Sequence, residues 1–285
     1  MLLSNSSYAQ DLSVQDGTAV AHISQGEPWA FEADGATPSA RLCEVFDAWN
    51  YLIDAVKAND KLANVEPFRY DIVNVGREVV AQLAGRFGKN FTSALAEIPL
   101  DRSMVEKTSE SYVKILEDID TLVACDEAFL LGPWLRKAKA WSQNSDGTLT
   151  FTDCTTNGSF PAVDAGGCEA YYEWNARVQL TTWNPVKRNA TVVPSGPVDY
   201  AGKHWSGLIR DYYAKRVQLI AARAIEDAVA GRSLDNDAIE RIKAEHAYNW
   251  TTARNLYAEN RTENLLVVME EVMHSYDAYF STCAR

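Results

Sequence analysis

From residue 39 onward, apolar positions recur at helical spacing. Leu42, Val45, Phe46, Trp49, Leu52, Ile53 and Val56 mark one face of a first helix. Pro67 opens a second, since proline is tolerated in a first helical turn. Its stripe is Phe68, Ile72, Val75, Val79 and Leu83, continued by Phe87. Asp101 is placed to cap a third helix, which carries Val105, Tyr112, Ile115, Leu116, Ile119 and Leu122. Asp126 is placed to cap a fourth, with Phe129, Leu130, Trp134 and Leu135 facing inward. The stretch 142–167 breaks the pattern and holds one short strand-like run at 149–152. Helical spacing returns with Tyr171, Trp174, Val178 and Leu180, then yields to a proline-containing loop over 184–197. A long helix follows through Trp205, Leu208, Ile209, Tyr212, Tyr213, Val217 and Ile220, and Gly231 stops it. Asp235 caps the next, with Ile239, Ile242, His246 and Trp250. The last runs through Leu265, Met269, Val272, Tyr276 and Phe280. The pattern predicts a mainly α chain: one multi-helix domain of about eight helices over 39–285, with a loop insertion. Residues 1–38 hold three glycines and two prolines without a sustained period, and read as a linker or irregular segment.

The 285 residues suffice to bury a sizeable core. Lys and Arg number 27 against 39 Asp and Glu, so the formal charge is −12. That sign argues against nucleic acid or an anionic membrane as a main partner, because such binding leaves a basic footprint. No apolar run approaches the ~18 residues of a membrane-spanning helix. The opening MLLSNSSYAQDLS is too polar for a signal peptide.

Two features nevertheless point to the secretory pathway, with a secreted protein or a lysosomal or vacuolar lumen as destination. Glycosylation sequons stand at Asn5, Asn90, Asn157, Asn189, Asn249 and Asn260. Chance would place about two in a chain of this composition. The second feature is the Gly- and Pro-rich stretch between Cys154 and Cys168, which has no helical periodicity. A disulfide closing it would contribute roughly 3 kcal/mol. Two free thiols are the alternative; metal binding lacks a nearby His or second Cys pair. Cys43, Cys125 and Cys283 remain, an odd number, so at least one is expected to be free or paired between chains. A lumenal body without a leader leads us to expect that Met1 is not where the natural polypeptide starts.

Catalytic chemistry is thinly marked. The four histidines, His22, His204, His246 and His274, form no ligand pair, so neither a metal site nor a cofactor is expected. No G-x-S-x-G, P-loop or G-x-G-x-x-G occurs. Asp126, Glu127, Glu173 and Asp199 lie near aromatics, as paired carboxylates of a glycosidase would. Helix caps and a solvated face account for them more simply. The aromatics say more. Trp174, Trp183, Tyr200 and Trp205 cluster around one loop, and flat rings stack on the apolar C–H faces of sugars. Trp174 and Trp205 sit in periodic core stripes, whereas Trp183 ends a helix just before Asn184-Pro185 and can project.

Several long motifs share one order. They are Val45-Phe46-Asp47-Ala48-Trp49, Phe68-Arg69-Tyr70-Asp71, Phe129-Leu130-Leu131-Gly132-x-Trp134, Arg177-x-Gln179-Leu180-Thr181-x-Trp183-x-Pro185, Asp199-Tyr200-Ala201, Trp205-x-Gly207-Leu208 and Tyr212-Tyr213. Together they resemble the C-terminal helical domain of lysosomal-type alpha-N-acetylglucosaminidases, most densely from about Cys43 to Arg216. The resemblance implies a retaining glycosidase that removes terminal alpha-linked N-acetylglucosamine, as in heparan sulfate. Its two glutamates belong to a (β/α)8 barrel, which is absent here, and the helical domain packs against that barrel and lines the cleft. By resemblance Trp183 and Tyr200 contact substrate, and Arg216 is structural, paired to a buried carboxylate. No catalytic residue is expected on this chain, and it should be inactive alone. The alternatives are a free-standing helical module that binds glycans or a partner protein, and an independent carboxylate-pair glycosidase.

Overall fold

The computed structural model describes residues 31–32, 35, 37–143 and 167–283. Among these residues there are eight α-helices and no strand beyond two isolated bridges. None of the helices is long and apolar enough to cross a membrane.

Helix α1 (Ala40–Ala58) starts where the Ser39 hydroxyl accepts from Leu42 N at 3.1 Å, and it buries Leu42, Phe46, Trp49, Ile53 and Val56. A 3-10 turn leads to α2 (Glu66–Ala96), with Pro67 in its first turn. Trp49 lies flat against α2 because residue 76 is glycine: a Cβ there would sit 2.5 Å from the indole. Helix α3 (Arg102–Val123) is capped by Asp101, which accepts from Met104 N. It is the central rod, packed by α2, by later helices and by the segment after Gly207. Val105, Tyr112, Ile115, Leu116, Ile119 and Leu122 are all buried, as the spacing predicts.

Asp126 caps a short 3-10 turn, Glu127–Phe129, and α4 (Leu131–Ala140) begins after it. That shift changes the register expected from the sequence. Leu131 and Leu135 face inward, while Trp134 falls on the flank, 38% exposed, with its ring 5.6 Å from Trp205. The region 144–166, with the expected strand-like run, lies outside the described residues. Helix α5 (Gly167–Leu180) packs on α4 and on α7.

The long helix expected from Trp205 is two elements. A π-helical turn, Ile209–Ala214, runs into α6 (Lys215–Val229). Before it, Gly207 adopts φ +91°, and Asp120 of α3 accepts from Gly207 N at 2.7 Å and Arg210 N at 3.1 Å. A side chain at 207 would also meet the Tyr257 ring. The wider π turn lets the consecutive Tyr212 and Tyr213 both point inward. Gly231, at φ +66°, follows the end of α6, and Asp235 caps α7 (Asn236–Thr252). Helix α8 (Leu265–Tyr276) and a last 3-10 turn return the chain to α1. There Cys43 and Cys283 form a disulfide, with Phe46 stacked on Phe280 at 4.2 Å nearby. Cys125 is free and buried, and burial pushes its thiol up to about 12. The odd cysteine is therefore this one.

Buried arginines tie distant segments together. Arg69 donates to the carbonyls of Ala63, Cys125 and Thr262, so one side chain joins the 3-10 turn after α1 and the end of α3 to the approach to α8. Arg177 pairs with Glu173 at 2.7 Å, lies over Trp250 and Tyr257, and donates to Asn255 O.

Candidate functional site

The loop between α5 and the π turn carries the two expected sugar-facing residues. Helix α5 ends at Leu180, and Trp183 N–H reaches back to the Val178 carbonyl at 2.8 Å. Trp183 then takes φ +58°, a left-handed backbone that is rare for a bulky residue. Asn189 and Asp199 do the same, so every non-glycine residue at positive φ among the described residues lies in this one loop. Such conformations cost of order 1–3 kcal/mol and concentrate where function requires them.

The loop is ordered from inside. Val186 plugs into the core, Asn184 Nδ2 donates to Ser195 O across the loop, and Arg188 Nε donates to Tyr248 OH. Asp199 N–H donates to Thr181 O, which brings the two ends of the loop together. Trp183 and Tyr200 therefore meet edge to face, with centroids 6.0 Å apart. They remain 47% and 51% exposed. The structure brings together the pair that the sequence singled out, and leaves both rings open to solvent.

Beneath Tyr200 lies a buried ion pair. Arg216 Nη2 donates to Asp199 Oδ2 at 2.8 Å, with both side chains almost fully enclosed. The guanidinium sits 5.1 Å and 5.2 Å from the Tyr212 and Tyr213 ring centroids. Burial opposes the charge of Arg216, but Asp199 and the two tyrosines outweigh it and hold its pKa above the ordinary value. Burial also raises both phenols. His246 stacks on Tyr212, and its Nε2 lies 2.8 Å from Tyr212 O. Burial lowers its pKa to about 4.

Of the other carboxylates near aromatics, Asp126 and Glu173 are engaged in structure. Asp126 is a buried cap that accepts from Ala128 N, and burial raises its pKa. Glu127 is exposed, while Glu173 belongs to the Arg177 staple. Among the described residues no group of three or more His, Cys, Asp or Glu is arranged to hold a metal ion. The sequence reading missed a neighbouring contact. Arg77, held by Asn74 and Glu78, places Nη1 2.9 Å from His204 Nδ1, beside Trp205 with Lys203 over its ring. Asn90, Asn189, Asn249 and Asn260 are all exposed, whereas Asn5 and Asn157 lie outside the described residues. So does Cys154; its expected partner Cys168 is buried in α5 and is not a free thiol.

The fold has counterparts. The sequence model of the alpha-N-acetylglucosaminidase C-terminal domain matches residues 3–275. Human alpha-N-acetylglucosaminidase is 29% identical over 187 residues, which are 66% of this chain and 21% of that protein. A family 89 glycoside hydrolase from Clostridium perfringens, in complex with 2-acetamido-1,2-dideoxynojirmycin, superposes with a TM-score of 0.59 at 20% identity. The match covers 80% of this chain and 23% of that one. A Clostridium perfringens variant in complex with its substrate GlcNAc-alpha-1,4-galactose gives 0.57 at 21% identity, covering 79% and 23%. The chain thus spans between a fifth and a quarter of the length of these relatives.

Proposed function

Since the chain belongs to the family of alpha-N-acetylglucosaminidase C-terminal domains, we propose that it is the helical part of a glycoside hydrolase acting on terminal alpha-linked N-acetylglucosamine. In this reading Trp183 and Tyr200 line the substrate cleft. The acid and the nucleophile come from a (β/α)8 barrel domain elsewhere in the longer protein, and Arg216 holds the loop from below. The carrying observation is the exposed, edge-to-face Trp183–Tyr200 pair on a strained loop that is anchored by a buried ion pair. A ring left half open at a structural cost has a use outside the core, and a sugar's apolar face fits it. Asp199, the carboxylate beside Tyr200, is tied up in the buried pair with Arg216, which supports inactivity of the chain alone.

Large apolar side chains left exposed among the described residues, such as Trp134, Trp141 and Leu256, support a domain that packs on something larger rather than a free-standing module. The Cys43–Cys283 disulfide and the sequons support a secretory or lysosomal setting.

The test has two arms. The purified chain is assayed on an alpha-N-acetylglucosaminide, where no turnover is expected. Trp183→Ala and Tyr200→Phe are then introduced into the full-length parent enzyme, where each should lower kcat/KM. An unchanged kcat/KM in both variants would remove the cleft role. Turnover by the isolated chain that vanishes with one of its own carboxylates would replace the proposal with an independent glycosidase.

A further inference from the structure

Away from the Trp183 loop, the end of α2, the connection 97–101 and the start of α3 line a groove of about 860 Å3. Its α2 wall is built by Asn90 and Ser93, at i and i+3 on one helical face, with Glu97, the extended residue just past the end of α2, beyond them. Its α3 wall includes Met104 and Lys107, and Ile98 of the connection forms the rim. The volume lies within the ~300–1,000 Å3 of small-ligand sites.

Three observations converge on this groove. First, Asn90 is the acceptor of the sequon Asn90-Phe91-Thr92, and it is exposed although Phe91 is fully buried. The transferase that attaches N-linked glycans acts on extended chain, so a sequon that later becomes helical needs only an accessible asparagine in the fold. Second, Ile98 is 83% and Met104 47% exposed, an apolar rim facing water. Third, the side chains of Ser93, Glu97 and Lys107 make no hydrogen bond or ion pair with the described residues, although they line the same groove. Apolar C–H surface alternating with unengaged donors and acceptors matches a pyranose ring, which offers both.

We propose that Asn90 carries an N-linked glycan whose first sugars lie in the groove between α2 and α3, covering Ile98 and Met104. The occupant is the chain's own covalent oligosaccharide, tethered on the groove wall at high effective concentration. A second groove of about 630 Å3 on the other side of Ile98, lined by Leu95, Ile220, Leu234 and Ile239 among others, has no sequon in its lining and is not assigned this role. The proposal is independent of the cleft reading.

The test uses the full chain secreted from a glycosylating eukaryotic host. Release by peptide N-glycosidase in heavy-oxygen water reports occupancy at each sequon, and a labelled Asp is expected at position 90. Nuclear Overhauser contacts should then link sugar protons to the Ile98 and Met104 methyls. Enzymatic removal of the glycan from the folded protein should abolish those contacts and speed amide exchange over 97–104 severalfold. Asn90→Gln should do the same, while Asn260→Gln leaves the groove unchanged. An unmodified Asn90 overturns the proposal. So does a modified Asn90 whose sugars show no contact to either methyl, and so does a groove whose exchange is unaffected by glycan removal.

Discussion

Asp199 and Arg216 form a 2.8 Å ion pair in almost complete burial, and the residue that follows the aspartate is the exposed Tyr200. A single peptide bond therefore separates an enclosed charge pair from a ring open to solvent. The pair lets the loop end at a defined point on the bundle, because Asp199 also donates its N–H to Thr181, two residues before Trp183.

Breaking that pair from one side should be costly. Asp199→Asn leaves a buried guanidinium without its counter-charge, and about 3–5 kcal/mol of stability should be lost. Replacing both partners by apolar residues, Asp199→Leu with Arg216→Met, should cost less than the single change. Urea unfolding of the three proteins decides this. A loss below about 1 kcal/mol for Asp199→Asn would show that the pair does not anchor the loop.

Trp183 and Trp49 should respond unequally to truncation. Trp49 is fully enclosed and fitted against Gly76, so Trp49→Ala should cost about 3–5 kcal/mol. Trp183 is half exposed, and Trp183→Ala should cost about 1 kcal/mol or less, because it removes neither core packing nor a buried hydrogen bond. Thermal melts of both variants report the difference, and equal destabilisation would place Trp183 in the core.

His246 makes stability fall in mild acid. Its folded pKa is about 4 and the ordinary value is 6.5, so the neutral imidazole is the form that the fold accepts. Its contribution is complete above pH 6.5. As the pH drops, the unfolded chain takes up a proton that the folded one refuses, and stability declines until about pH 4. By pH 5 the loss is ~2 kcal/mol from this group. His246→Gln should flatten the pH dependence of the melting temperature between pH 7 and 5. A slope identical to that of the parent chain would mean that burial does not exclude the proton.

Non-reducing peptide mapping should recover Cys43 linked to Cys283 and Cys154 linked to Cys168, with Cys125 alkylated only after unfolding. In the chain-entropy account a link across 240 residues contributes about 5 kcal/mol. Replacing Cys43 and Cys283 together by serine should therefore lower the melting temperature sharply. A mixed pairing that included Cys125 would contradict the buried free thiol.

The helical stripes were legible because their period is local: Leu42 to Val56 and Val105 to Leu122 announce their buried faces without any tertiary information. The exposure of Trp183 was legible from Asn184-Pro185, which forbid the helix to continue. The orientation of Trp134 was not, because Asp126 caps a 3-10 turn first and the register of α4 starts four residues later. Arg69 stood in a recognisable motif, but its three acceptors are backbone carbonyls from residues 63, 125 and 262, which carry no side-chain signal. The π turn at Tyr212-Tyr213 is likewise a response to what surrounds it, namely an arginine that needs both rings.

The Cys43–Cys283 bond turns the bundle into a covalent ring, with the two Cα atoms at the junction only 5.3 Å apart. Tension applied to the polypeptide on either side of that junction passes through two sulfur atoms and bypasses all that the ring encloses. Helices α2 to α8 are shielded from pulling, whatever the chain is attached to. A protease that nicks any loop within the ring releases no fragment until a reductant opens the clasp.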